Sequence, residues 1–291
     1  MANHCEIVFW DVQHGHMTYI KTPNNRHIVI DLGTGDYSKG VEAFSPLLHL
    51  KRKYGVNQLD YVIITHPHLD HIDDILNFDT LNPKVLKRPK HLSNEEVMDR
   101  VIERDRAKFE KYCEINNRYN QPVDSSSTDS LSNPDNWGGL ELESFTPTGC
   151  NHNNFNNHSI VSIVNFAGMK VVIPGDNEKC SFDELMAKSG FVTAISDADI
   201  LLAPHHGRES GFNDDFVNAV NPRLTVVSDA KFCDTSANAR YTAKSRGWKV
   251  HKTSNGTSRD RKCLTTASDG EVVAHFGYQN SGDRFLYVKT K

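Results

Sequence analysis

The sequence predicts an α/β fold in which sheets are flanked by helices. Short β-branched runs bounded by turn residues, such as YVIIT at 61–65, indicate buried strands. Segments with helical spacing, such as 42–55, separate these strands along the chain. Because strands alternate with helices again after residue 139, layered sheets covered by helices are expected. No Pro/Gly/Ser-rich boundary divides the chain, so we predict a single domain over 1–291.

The first 65 residues contain four predicted strands and one predicted helix. The strands are expected at 5–12, 16–22, 27–33 and 61–65, with turns at 23–25 and 33–36. The helix is expected at 42–55, because its apolar residues share one face and Gly55 can stop it.

A helical insertion is predicted at 92–136. Ser93 and Glu96 have the spacing of a capping box, and the charged segment up to residue 120 predicts one long helix. Residues 121–136 are a polar, turn-rich loop. We expect the insertion to lie over the main body.

The second half repeats the alternation of strands and helices. Strands are predicted at 140–147, 159–166, 169–176, 197–204, 224–229 and 248–253. Helices are predicted at 181–189, 211–222 and 236–247.

Composition and charge limit the possible functions. The chain has 291 residues, 37% of them hydrophobic and 24% charged, which is ordinary for a globular protein. Its net charge of −4 disfavours a protein that coats nucleic acid through many phosphate contacts. We find no signal peptide and no long apolar run, and the six cysteines contain no CxxC pair. Reduced thiols, a cytoplasmic location and no membrane contact are therefore expected.

Metal-capable side chains are concentrated in THPHLDHIDD at 65–74, directly after a predicted strand. The stretch holds three histidines and three aspartates, and a core does not tolerate so many unpaired carboxylates. His66 and His68 occupy alternate positions of an extended segment, so their imidazoles can share one ion. Asp70 and His71 follow a turn and could reach a second ion.

Three further groups of residues occupy comparable places. They are His158 in NNHSIV, Asp176 after VVIPG, and His205 with His206 after DILLAP. The ends of strands in layered folds are rigid positions from which side chains converge on a crevice. Two ions about 3.5–4 Å apart in that crevice could share a hydroxide and act on phosphorus.

On these residues the chain resembles the metallo-β-lactamase fold, which combines HxHxDH, a strand-end aspartate and a later strand-end histidine. Within that superfamily it resembles the competence-protein (ComEC-type) branch. The opening FWDVQHGHMTYIKT with HIVIDLGTG, the segment NNHSIV and the segment DADILLAPHHGRESGF are similar to motifs of that branch. LTVVSDA and WKVHKTSNGT resemble its closing segment.

The resemblance implies a four-layer αββα sandwich with a metal site at one edge. It implies that one ion is bound by His66, His68 and His158, that a second is bound by Asp70, His71 and His205, and that Asp176 bridges them. Asp31 and Asp11 would support ligand imidazoles through hydrogen bonds. His206 has three open roles: support of a ligand, proton donor, or ligand in place of His205. The expected ions are Zn²⁺, with Mn²⁺ as the alternative.

The chain departs from the motifs of the branch in three places. Residues 13–16, QHGH, stand where the branch has G-Q-G-D, so an imidazole can replace an acidic contact. His158 occupies a place that often holds a small residue, which would complete a seven-ligand set. Arg208 enters HHGRES, either as a solvated cation or as a phosphate contact.

The expected function is that of a metal-dependent hydrolase in which a hydroxide activated by two metals attacks phosphorus or a carbonyl carbon. Asp70 would take part at the metal, and His206, His16 or Arg208 would assist the leaving group or the developing charge. The resemblance implies a phosphodiesterase or nuclease that acts on DNA or another nucleic acid. The basic tract KVLKRPKH at 84–91 is either a track for such a strand or a solvated turn.

Two alternatives are open. The substrate could instead be a small phosphodiester, such as a cyclic nucleotide or a choline-phosphate ester, or a lactone or thioester. The chain could also be a non-catalytic, metal-stabilised subunit whose helix at 92–120 recruits a protein partner.

Overall fold

The structure is a computed structural model that describes residues 3–34, 44–99, 101–230 and 236–291. In these ranges the strands are β1 (Asn3–Phe9), β2 (Thr18–Lys21), β3 (His27–Ile30), β4 (Tyr61–Ile63), β5 (Val85–Lys87), β6 (Glu141–Phe145), β7 (Val161–Phe166), β8 (Met169–Ile173), β9 (Ile200–Leu202), β10 (Leu224–Val227), β11 (Trp248–Lys252), β12 (Thr257–Arg261), β13 (Cys263–Thr265), β14 (Val272–Tyr278) and β15 (Arg284–Thr290). The predicted turn at 33–36 and the predicted helix at 42–55 lie partly outside the described residues.

The helices in the same ranges are α1 (Pro46–Lys53), α2 (Leu69–Ile72), α3 (Asn94–Met98), α4 (Arg106–Arg118), α5 (Lys179–Met186), α6 (Ser189–Ile195), α7 (Asp214–Val220), α8 (Asn238–Lys244) and α9 (Thr266–Asp269). Short 3₁₀ turns lie at Ile75–Leu81, Glu103–Asp105, Pro134–Trp137, Phe155–His158, Pro204–Gly207 and Glu209–Gly211.

The strands form two mixed sheets. The larger has the order β12-β11-β15-β14-β1-β2-β3-β4-β5, and the smaller has the order β13-β10-β9-β8-β7-β6. In the larger sheet β3, β4 and β5 are parallel neighbours, and in the smaller sheet β8, β9 and β10 are parallel neighbours. Parallel strands end at the same edge of a sheet, so the segments after them can meet there.

Alternating side chains place each sheet between two apolar layers. In β1, Ile7 and Phe9 belong to the core between the sheets, whereas Val8 belongs to the layer on the outer face. Helices α1 and α4 complete that outer layer, and α5, α6, α7 and α8 cover the outer face of the smaller sheet. The predicted αββα sandwich is thereby confirmed.

The insertion differs from the predicted single long helix. The capping box of Ser93 and Glu96 starts α3 as expected, but α3 ends after five residues and α4 begins only at Arg106. The apolar stripe is too incomplete for a continuous helix to bury, since Val97 is buried while Ile102 is 52% exposed. The assignment of the whole chain to one domain with an insertion at 92–136 stays a prediction.

One pair of cysteines contradicts the expectation of six reduced thiols. Cys150 and Cys180 form a disulfide, with Cα atoms 6.1 Å apart, that ties the loop after β6 to α5. A separation of 30 residues gives no local sign of this pairing. Cys5, Cys113 and Cys263 are free thiols, and Cys233 lies outside the described residues.

None of the helices in the described ranges combines the length and the apolar character needed to cross a bilayer. The cytoplasmic location stays a prediction.

Candidate metal centre

His66 and His68 bring two imidazoles together just beyond the end of β4. His66 Nε2 lies 3.0 Å from His68 Nδ1, as alternate positions of an extended segment allow. The other nitrogen of His66, Nδ1, lies 3.1 Å from the hydroxyls of both Thr65 and Ser159. This second contact fixes the ring and leaves Nε2 to face His68.

A second cluster joins residues from three segments beyond the ends of strands. Its members are Asp70, His71, Asp176 and His206, whose potential ligand atoms lie within 4.8 Å of one another. Asp176 Oδ2 is 3.2 Å from His71 Nε2 and 3.3 Å from His206 Nε2. His206 Nε2 is also 3.1 Å from Asp70 Oδ2. These residues all come from the sequence motifs that predicted a metal site.

The carboxylate of Asp31 supports the second cluster through hydrogen bonds. Its carboxylate accepts hydrogen bonds from the Thr65 backbone N–H at 2.6 Å and the Thr65 hydroxyl at 2.7 Å. It also lies 2.8 Å from Nδ1 of both His16 and His71. With Nδ1 of His71 held by a carboxylate, Nε2 is directed at Asp176, which is the usual arrangement behind a metal-binding histidine.

The two adjacent histidines after β9 occupy different places. His206 is buried and joins the cluster through Nε2, while its Nδ1 lies 2.8 Å from the Ser228 carbonyl oxygen. His205 Nδ1 instead lies 2.9 Å from Glu178 Oε1, and its Nε2 is 3.9 Å from Asp176. The predicted assignment of His205 to the second ion is therefore replaced by His206. The two rings diverge because both residues have positive φ, at 47° and 54°.

His158 does not join His66 and His68 as predicted. It ends the 3₁₀ turn Phe155–His158, and its Nδ1 lies 2.9 Å from His91 Nε2. It forms a separate cluster with His91 and His152. The residue that reaches His66 is the next one, Ser159.

Ser159 is a functional residue that the sequence did not single out. Its hydroxyl contacts His66 and accepts a hydrogen bond of 3.1 Å from the Asp176 backbone N–H. The approach requires Gly175, because a Cβ there would lie 2.8 Å from the Cβ of Ser159. The NNHS segment thus positions the site through its serine.

One predicted role on the first strands changes. His16 was expected to assist the leaving group, but Nδ1 contacts Asp31 and Nε2 lies 2.8 Å from Thr18 Oγ1, so it acts as a positioning residue. Asp11 accepts hydrogen bonds from the backbone and side chain of Gln13, and its expected support of a ligand imidazole stays a prediction.

His14 and Arg208, both partly exposed, and the buried Asp229 lie beside the second cluster. His14 Nε2 lies 3.3 Å from Asp70, and its Nδ1 lies 3.1 Å from Asp229. Arg208 places its NH2 3.4 Å from His14 Nδ1, and no described residue hydrogen-bonds to its buried Nε. The predicted residue Arg208 is thus beside the cluster, while Asp229 was missed because a lone aspartate after a strand is a common turn residue.

Burial and nearby charges shift pKa values differently in the pair of His66 and His68 and in the second cluster. Burial, followed by the nearby His71 and His68, lowers the pKa of His66 well below its ordinary value, which leaves a neutral ring. Burial would also lower the pKa of His206, but Asp176 and Asp70 raise it to about 10. Burial would raise the pKa of Asp176, but His71 and His206 hold it well below its ordinary value. The carboxylates therefore stay ionised and need positive charge nearby.

The donor set fits a pair of divalent transition ions. Imidazole nitrogens and carboxylate oxygens suit zinc and manganese. His71 Nε2 and His206 Nε2 face each other at 3.3 Å around the Asp176 carboxylate. Because their Nδ1 atoms contact Asp31 and the Ser228 carbonyl, both rings present Nε2 to the same point. This cluster can hold one ion, and His66 with His68 offers two further imidazole nitrogens 3.0 Å apart.

Comparison with known proteins agrees with this geometry. The family model described as the Metallo-beta-lactamase superfamily matches residues 10–228. The chain belongs to the metallo-β-lactamase superfamily. With its histidine–aspartate clusters it falls in the class of metal-dependent hydrolases of that superfamily.

The resemblance to the competence branch is also confirmed. The chain is 25% identical over 248 residues to ComE operon protein 3 of Bacillus subtilis (strain 168). The aligned region covers 79% of this chain and 29% of that protein. It is 34% identical over 70 residues to a metal-dependent hydrolase of Saccharolobus solfataricus, which covers 24% of this chain and 27% of that protein. The chain thus spans less than a third of the length of these curated relatives.

A solved structure is similar at a greater distance. CmlA, a diiron beta-hydroxylase from Streptomyces venezuelae, has a TM-score of 0.45 and 13% identity, over 78% of this chain and 45% of that one. At this distance the likeness carries no argument about function.

The Ser159 hydroxyl can be tested against a matched serine of β7. We expect Ser159→Ala to weaken binding of the ion at His66 and His68 by about 10-fold or more, because the ring loses a support. Ser162→Ala is the control, since that hydroxyl is equally buried and has no hydrogen-bond partner within the described part of the chain. Zinc titration against a chelating indicator measures both. Equal affinities in the two variants would contradict this role for Ser159.

Metal binding is expected to depend on pH through His206. In the metal-free protein its pKa is about 10, so zinc must displace a proton at neutral pH. The apparent affinity should therefore rise as pH increases from 6.5 to 8.5, and binding should release protons. Calorimetry in buffers of different ionisation enthalpy measures that release. An affinity independent of pH over this interval would show that His206 does not bind the metal.

Proposed function

We propose that this chain is a metal-dependent phosphodiesterase. The observation that carries the proposal is that two adjoining groups of metal-capable side chains lie beside a cation, the guanidinium of Arg208. His66 with His68, and Asp70 with His71 and His206, would hold two ions, and Asp176 would lie between them. When bound, such ions would supply the positive charge that activates water and stabilises oxygen anions.

The residues beside these groups, Arg208 and His14, support phosphorus chemistry. During hydrolysis of a phosphodiester, negative charge accumulates on the non-bridging oxygens and then on the leaving oxygen. The guanidinium of Arg208 has fixed donors of the right geometry for such oxygens, and its buried Nε has no hydrogen-bond partner among the residues that the structure describes. His14, beside Asp70 and Asp229, can pass a proton to the leaving oxygen, a role that was predicted for His206, His16 or Arg208.

Nucleic acid is the first candidate substrate, because the chain resembles the competence branch. A groove next to His68 runs between the insertion and the body. Its lining within the described residues includes four carboxylates and no lysine or arginine; the acidic residues are Glu95, Glu96, Asp99 and Asp105. Carboxylates repel a phosphate backbone, so this groove does not favour a long nucleic acid along its length.

The basic tract at 84–91 also offers less free charge than its sequence suggests. Lys84 pairs with Asp60 at 2.8 Å. Arg88 is buried and donates to the side chain and the backbone of Asn116. Burial lowers the pKa of Lys87. These contacts favour the alternative of a small phosphodiester, such as a cyclic nucleotide or a choline-phosphate ester.

Hydrolysis of a lactone or thioester is the competing reaction on the same donors, because the fold does not determine the reaction. A non-catalytic subunit is the remaining alternative, and the convergence of Asp70, His71, Asp176 and His206 weighs against it. A protein partner at 92–120 stays a prediction.

A substrate panel tests the reaction and the ion together. We expect turnover of bis-p-nitrophenyl phosphate with Zn²⁺ or Mn²⁺, because the donor set suits these ions better than Mg²⁺. Single-stranded and double-stranded DNA, RNA, a cyclic nucleotide, a lactone and a thioester complete the panel. His71→Ala is the inactive control. Turnover of the acyl substrates alone would refute the phosphodiesterase proposal.

Arg208 can be tested against another arginine of the same surface. We expect Arg208→Met to lower kcat/KM for bis-p-nitrophenyl phosphate by about 100-fold, as loss of one charge-stabilising donor does elsewhere. Arg240→Met is the control, since Arg240 pairs with Glu209 and Asp214 on the surface. Steady-state kinetics on both variants measure the effect, and equal values for both would exclude a phosphate contact by Arg208.

A further inference from the structure

We propose that His91, His152 and His158 form a third metal site, of zinc type, that clamps the segment leading into the insertion to the body. The three residues come from separate segments: His91 precedes α3, His152 lies in the loop after β6, and His158 ends the 3₁₀ turn Phe155–His158. Their potential ligand nitrogens lie within 4.8 Å of one another, and His91 Nε2 is 2.9 Å from His158 Nδ1.

Hydrogen bonds on the outer nitrogens orient two of the rings inward. His152 Nδ1 lies 2.6 Å from Glu96 Oε1, which leaves Nε2 of His152 to face the cluster. His158 Nε2 lies 3.4 Å from the Asn151 carbonyl oxygen, which leaves Nδ1 of His158 to face the cluster. A carboxylate or a carbonyl behind each imidazole is the usual support of a metal-binding histidine.

Glu96 is itself held in place. Its Oε2 accepts a hydrogen bond of 2.8 Å from the Ser93 backbone N–H, as part of the capping box that begins α3. The same carboxylate therefore fixes the start of the insertion and one ring of the cluster. A metal at the cluster would join this element to the loop that carries His152.

Burial disfavours the protonated form of two of the rings, His91 and His158. Burial, then the neighbouring histidines, lowers the pKa of His91, and burial lowers the pKa of His158 despite its contact with Asn151. Neutral imidazoles with inward nitrogens repel one another unless a proton or a cation lies between them, and a proton can serve only two of the three. A divalent transition ion serves all three.

The site is distinct from the proposed hydrolytic centre and does not depend on its reaction. Three imidazoles leave a fourth position, which water can fill because His91 and His152 are partly exposed. Glu96 and His152 also line the groove beside His68, so the ion would hold one wall of that groove.

The test counts ions rather than turnover. The full chain is equilibrated with Zn²⁺, freed of excess and analysed for zinc per molecule; Co²⁺ in its place reports tetrahedral nitrogen ligation by absorption. We expect His91→Ala to bind one ion fewer than the wild type. His251→Ala is the control, because His251 of β11 contacts Ser258 of β12 and belongs to none of the histidine clusters of the described residues.

A second variant keeps the proposal testable if His91→Ala does not fold. Glu96→Gln retains an acceptor for the helix cap but removes the charge behind His152, so the Kd of this ion should rise about 10- to 100-fold. The proposal is overturned if a folded His91→Ala keeps the zinc count of His251→Ala, or if Glu96→Gln leaves every zinc Kd unchanged. Loss of this ion with retained phosphodiester turnover would separate the two proposals.

Discussion

A single buried carboxylate, that of Asp31, is the constraint on which the metal centre depends. It lies beyond the end of β3, is fully enclosed, and receives hydrogen bonds from the segment after β4 and from His16 after β1. A buried charge of this kind is tolerated only when every acceptor position is satisfied. Its neighbours are therefore fixed in turn, and His71 is aimed at Asp176 across the two sheets.

The ions would reinforce the connection between the sheets. His66 and His71 follow a strand of the larger sheet, whereas Asp176 and His206 follow strands of the smaller one. Metal binding to these groups stabilises the folded state by mass action. The same reasoning extends to the insertion, whose α-helices within the described residues are the 5-residue α3 and the 13-residue α4.

Much of the site could be predicted from the sequence because it depends on strand ends. An apolar run followed by HxHxDH or by Gly-Asp places side chains at a sheet edge whatever the details of packing. The roles of His158, His205 and His206 depend instead on a 3₁₀ turn and on left-handed backbone, which leave no periodic signal. The cluster of His91, His152 and His158 also joins residues too distant in sequence to be paired by inspection.

The same limit applies to the fold. Strands β1 to β4 and β6 to β11 were predicted because they are apolar or alternate, apart from some boundaries, whereas the three-residue β5 lies in the tract that was interpreted only as basic. Strand β12 was not predicted, because its sequence, TSRDR, is exposed. Strands β14 and β15 were not predicted either, although β14 pairs with β1 in the centre of the larger sheet. Helix α6 was missed because SGFVTAI has few helix-forming residues beyond those it buries.

The backbone at His205, His206 and Gly207 has a practical consequence for mutagenesis. All three residues have positive φ, and a side chain at Gly207 would lie 2.7 Å from Val227 Cγ1. Alanine resists this conformation, so scanning with alanine would confound a distorted loop with a missing imidazole. Asparagine adopts it readily and is the cleaner replacement at either histidine.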